Sequence, residues 1–127
     1  MDFLSWLWGG SDGPRRRHLW QWLEARGYRQ TVKTRPGITQ TWVFEGAVLS
    51  MEFELDRALD WYLALKPRNG GLDYRLVEDW IHCIRATTDP GIRLPTMDAA
   101  LRLHLGEFEA ACEPDRLQAT IDCLENR

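Results

Sequence analysis

Serine is scarce in this chain, occurring only as Ser5, Ser11 and Ser50. None of the three stands in a nucleophile-elbow pattern, which leaves a serine hydrolase of the elbow type without its attacking group. Cysteine is scarce as well. Cys83, Cys112 and Cys123 make an odd number with no CxxC pair. That count fits small buried apolar residues in a reducing compartment better than a disulfide framework, so a cytoplasmic location is expected. Phosphate loops and dinucleotide fingerprints are missing: Asn69-Gly70-Gly71 has neither the GxGxxG spacing nor a following lysine. The short apolar run Phe3 to Trp8, broken by Ser5, is far too short to span a bilayer. It lacks a basic start and a small-residue cleavage site, so it does not read as a signal peptide. Internal repeats and low-complexity stretches are absent.

Tryptophan, by contrast, is abundant, with seven in 127 residues. Exposed indoles are favoured anchors at protein interfaces, and some of the seven are expected to serve that purpose. The length is that of one domain, residues 1–127, with residues 1–13 as an N-terminal aromatic arm. The net charge of -3 conceals an uneven distribution: residues 1–35 carry +4, residues 36–66 carry -3 and residues 96–127 carry -4. An isoelectric point near 5.6 argues against nucleic acid as partner, although Arg15-Arg16-Arg17 stands close to Trp20 and Trp22. Three like charges in the first turn of a helix suggest a neighbouring acidic group or a phosphate, with solvated surface as the default.

Residues 39–66 are the informative stretch. Leu49, Met51, Phe53 and Leu55, then Leu59, Trp61, Leu63 and Leu65, alternate with Ser50, Glu52, Glu54, Asp60, Tyr62 and Ala64. A period of two predicts strands with one dry face and one wet face. A three-residue loop Asp56-Arg57-Ala58 would set Leu55 opposite Leu59 and Phe53 opposite Trp61. A two-residue loop Glu45-Gly46 would set Phe44 opposite Ala47 and Trp42 opposite Leu49. Helices are expected after Gly13-Pro14, from Tyr74 to about Ala86 with Asp73 as cap, after Thr96, and after Pro114. The expected fold is α+β: an antiparallel β-meander of three to four strands, packed on one face by helices.

On the wet face, Glu45, Glu52, Glu54, Asp56 and Asp60 crowd beside Tyr62, with Glu54 opposite Asp60 in the derived register. Like charges placed directly opposite cost stability. These six residues are therefore the candidate partner-binding site. No catalytic residue, metal ligand or cofactor site is assigned. Cys83 has His82 beside it, but neighbours along a helix point about 100° apart. His104 and Glu107 share a helix face, yet His104 lies in an apolar stripe and reads as a packed histidine. The alternative function is a ligand-binding domain or enzyme with a pocket between sheet and helices near His82 and His104.

Phe3-Leu4-Ser5-Trp6-Leu7, Leu23 to Tyr28, Leu49 to Leu65 and Leu76 to Ile84 together form a lead arm, a helix, a meander and further helices. In this layout the chain resembles the small cytoplasmic immunity proteins that bacteria encode beside secreted toxins of the polymorphic and type VI classes. The resemblance implies a non-enzymatic protein that occludes the active site of a cognate toxin, often through an acidic surface facing a basic cleft. It implies a toxin domain as partner, and neither nucleic acid nor stable membrane insertion.

Overall fold

The computed structural model describes residues 12–33 and 39–127. The expected aromatic arm, except for Asp12 and Gly13, lies outside those residues, as does Pro36-Gly37, a pair whose residue types predict a turn. The first helix, α1 (Gly13–Ala25), begins as expected, with Asp12 at the N-cap and Pro14 in the first turn. It ends at Gly27, whose φ of 91° is the left-handed conformation that only glycine adopts cheaply. Tyr28 N–H then returns to the Leu23 carbonyl at 3.0 Å, closing the helix end.

Five antiparallel strands follow in a simple meander: β1 (Arg29–Lys33), β2 (Thr39–Glu45), β3 (Leu49–Asp56), β4 (Trp61–Pro67) and β5 (Arg75–Leu76). The α+β class and the meander agree with expectation, and the strand number exceeds it by one. β5 occupies residues expected in the helix from Tyr74, so α2 shortens to Val77–Cys83. The reason is local: Arg75 and Leu76 pair with Leu65 and Ala64 along the open edge of β4, satisfying backbone groups that a longer helix would leave unpaired. Two longer helices complete the fold, α3 (Leu94–Ala111) and α4 (Leu117–Glu125).

Both hairpin registers differ from those derived. Leu55 faces Trp61 and Phe53 faces Leu63, because the loop is Arg57-Ala58-Leu59 and not Asp56-Arg57-Ala58. Asp56 N–H donates to the Asp60 carbonyl at 3.1 Å, and Asp60 N–H donates to the Asp56 carboxylate at 3.0 Å, closing the turn. Leu59, at φ 64°, takes the left-handed position where glycine is usual. In the other hairpin Phe44 faces Met51 and Trp42 faces Phe53, around Ala47-Val48 and a Gly46 N–H to Leu49 carbonyl bond of 2.9 Å. Gly46 is required for close approach, since a Cβ there would lie 2.5 Å from Cε1 of Tyr28. Both loops slid by whole residues without changing which side chains share a face, as a period of two allows.

One face of the sheet carries the core. Phe44, Met51, Phe53, Leu55, Trp61, Leu63 and Leu65 are buried beneath Leu19 and Leu23 of α1, Trp80 of α2, and Leu101, Leu105 and Phe108 of α3. The tryptophans expected to be exposed anchors are instead structural among the described residues. Trp42, Trp61 and Trp80 are buried, while Trp20 and Trp22 are half-buried against the core. Trp20 packs on Trp42, Phe44 and Phe53 with ring centroids 4.7–5.8 Å apart. Trp80 Nε1–H donates to the Leu65 carbonyl at 3.0 Å, and Trp61 Nε1–H donates to Asp12 at 3.3 Å.

The basic head is internal at one residue only: Arg15 and Arg17 are exposed, and Arg16 is not. Arg16 is buried with its guanidinium 5.1 Å from the centre of the Trp42 ring, and burial, aided by Arg17, lowers its pKa. Arg15 and Arg102 converge on the buried Asp98 at 3.4 and 2.6 Å. This is the neighbouring acidic group that a run of arginines in a first turn calls for.

Two of the three cysteines overturn their expected reading as separate small apolar residues. Cys83 of α2 and Cys123 of α4 are joined by a disulfide, their Cα atoms 6.0 Å apart. The third, Cys112, is buried and free.

Candidate functional site

The helices lie against one face of the sheet, and the opposite face builds the candidate site from strand register alone. Val32 of β1 pairs with Val43 of β2, Val43 with Glu52 of β3, Glu52 with Ala64 of β4, and Ala64 with Leu76 of β5. One cross-strand row therefore spans all five strands, apolar except for a single carboxylate on the central one. Val32 is 45% exposed and Leu76 48% exposed at its two ends. Sequence reasoning missed this row, because Val32 and Leu76 join it only once the β1 and β5 pairings are known.

On the side of the row toward the β3–β4 hairpin, Thr41, Glu54 and Tyr62 form the next row, followed by Thr39, Asp56 and Asp60. On the other side lie Arg29, Glu45, Ser50 and Lys66. All six expected site residues, Glu45, Glu52, Glu54, Asp56, Asp60 and Tyr62, thus share the outer face. Five gather around the β3–β4 hairpin and the central row. Glu45 sits apart at the opposite end, 3.8 Å from Arg68. Charge consequently grades along the face, mixed at the Lys66 end and acidic at the hairpin end.

The like-charge pair derived from sequence changes identity. Glu54 faces Tyr62, and the opposed carboxylates are Asp56 and Asp60. Among the described residues Glu52, Glu54 and Asp60 form no ion pair. Glu52, between Val43 and Ala64, is partly stripped of water. That desolvation, with Glu54 and Asp73 nearby, raises its pKa against the opposing pull of Lys66. Tyr62 is raised by loss of water contact first, then by Asp56 and Asp60. Tyr74 folds over the Lys66 end, its ring centre 4.8 Å from Lys66 Nζ. There Ser50, though on the outer face, is buried.

The two histidines of the alternative reading part company. His82 is exposed on α2. His104 of α3 is buried, with Nδ1 2.8 Å from Glu107 Oε1 and Nε2 2.8 Å from Thr88 Oγ1. Hydroxyl, imidazole and carboxylate therefore stand in a line. Glu107 was visible as the i+3 neighbour on the helix; Thr88 reaches the ring from the loop before α3 and no local spacing announces it. Burial pushes the Cys112 thiol up to about 12, with Glu109 adding to the effect, so it is a poor nucleophile at neutral pH. Among the described residues no cluster of His, Cys, Asp and Glu could hold a metal ion, and no helix is long and apolar enough to cross a membrane. Compared with protein-family models, with curated proteins and with solved structures, this chain matches none of them.

Proposed function

We propose that this chain is a non-enzymatic protein-binding module that docks its partner on the outer face of the sheet. The observation that carries the reading is the row Val32, Val43, Glu52, Ala64, Leu76 beside the carboxylates of Glu54 and Asp60. Apolar side chains at the centre supply area to bury, and a half-desolvated carboxylate among them gains most from a cation brought by the partner. The partner that fits is a protein presenting a basic cleft with an apolar floor. The resemblance in layout gives this partner a specific form, a toxin domain whose active site the sheet would occlude.

Isothermal titration of the parent against the toxin domain encoded by a neighbouring reading frame tests the reading. Glu54→Lys with Asp60→Lys should weaken binding by more than tenfold while leaving the melting temperature near that of the parent. Equal affinity for parent and variant would remove the outer face as the docking surface.

A second reading rests on Thr88, His104 and Glu107, whose order is that of a nucleophile, a base and the group that orients it. It predicts ester hydrolysis that Thr88→Ala and His104→Ala both abolish. Turnover of a p-nitrophenyl ester equal in parent and variants would eliminate it.

A further inference from the structure

A groove of about 940 Å³ runs between the end of α2 and α4, lined by no residue of the sheet, and the disulfide forms part of its wall. Cys83 and Cys123 both line it, and both are half-buried rather than sealed in the core. Arg85 and Arg116 line the same groove, with Asp115 as the opposing charge. The bridge therefore meets solvent in a locally cationic cleft of a protein whose net charge is -3. Arg85 is held there by the backbone. At φ 62° it caps α2, its N–H donating to the His82 carbonyl at 2.9 Å, in a conformation that glycine would adopt at less cost.

We infer that this groove is a thiol–disulfide exchange site for small thiols carrying carboxylates, of which glutathione is the type. The guanidinium groups attract the carboxylates and raise the local concentration of the attacking thiol, and Asp115 offers a partner for an ammonium group. A thiolate attacks one Sγ of the bridge. A new S–S bond forms to that cysteine, the protein S–S bond breaks, and the other cysteine leaves as a thiolate into the cationic groove. A second small thiolate attacks the mixed disulfide and displaces the remaining cysteine. Two thiols are oxidised to their disulfide, the bridge gains two electrons, and the two protein thiolates take up the protons lost by the two small thiols.

The test follows reduction of the native protein by glutathione, neutral 2-mercaptoethanol and cationic cysteamine at equal thiolate concentrations. Alkylation and mass spectrometry report both the mixed disulfide and the final thiols. Glutathione is expected to react roughly tenfold faster than cysteamine at low ionic strength, with the preference collapsing at 1 M salt, where the Debye length is about 3 Å. Arg85→Glu with Arg116→Glu should abolish the preference and leave the 2-mercaptoethanol rate within about twofold; the salt dependence of the parent stands even if that variant fails to fold. Rates that follow thiol basicity regardless of charge would overturn the inference. So would a bridge that opens at one common rate with every thiol, the rate of unfolding.

Discussion

Reducing the Cys83–Cys123 bridge should lower stability by an amount set mainly by the loop it closes. The two cysteines are 40 residues apart. The chain-entropy relation for a closed loop of that length gives about 13 cal/mol/K, or about 4 kcal/mol at 25 °C. Lost packing should add little to this, since Ile121 and Leu124 keep α4 buried against the body whether or not the sulfurs are joined. For a domain of this size each kcal/mol moves the melting temperature by about 3–5 °C, so reduction should lower it by about 12–20 °C. Scanning calorimetry with and without a phosphine reductant measures the shift, and Cys83→Ser with Cys123→Ser should reproduce it without any reductant. The far-ultraviolet circular dichroism at 25 °C should be unchanged, because Trp80 and Ile81 hold α2, and Ile121 and Leu124 hold α4, on the core without the bridge. A drop below about 3 °C in both experiments would refute the reasoning, showing that the cross-link does not restrict the unfolded chain.

Two further perturbations follow from the packing. Gly46→Ala should destabilise by about 1–3 kcal/mol in a urea titration, since the new methyl meets a Tyr28 ring that cannot withdraw: it is buried, and its hydroxyl donates to Glu109 at 2.7 Å. Glu52→Gln should raise the melting temperature at pH 7. The folded-state pKa of Glu52 lies above its ordinary value, so the folded state favours the protonated form. The stability that protonation confers is complete below about pH 4 and is lost as pH rises through the raised value. The gain from Gln should therefore vanish at low pH, and an equal gain at pH 3 and pH 7 would contradict the assignment.

Much of the fold was legible because alternation over residues 49–65 decides which side chains share a face, and a period of two tolerates sliding. Register was not legible. It depended on Leu59 adopting a left-handed conformation that favours glycine, so the turn lay one residue later than local propensity placed it. β5 escaped for a different reason: two residues are too few to show a period, and Leu76 and Val77 also suit a helix face. The acidic half of the candidate site was visible as composition, whereas its apolar half exists only across strands. The bridge between Cys83 and Cys123 was hidden in an odd count of cysteines, and the burial of the tryptophans in an expectation drawn from interfaces. Arg16 over Trp42 shows that one member of a run of arginines can belong to the core while its neighbours stay exposed.

The outer face as a docking surface is tested most directly by a charge-swap cycle between this chain and its partner. Glu52→Lys and Glu54→Lys are each combined with reversal of the facing basic residue on the partner, and affinities are measured by titration calorimetry. The account predicts that each single reversal weakens binding by more than tenfold, and that the paired reversals recover at least about 1.5 kcal/mol of coupling. Coupling energies of zero, with single variants binding as tightly as the parent, would contradict it.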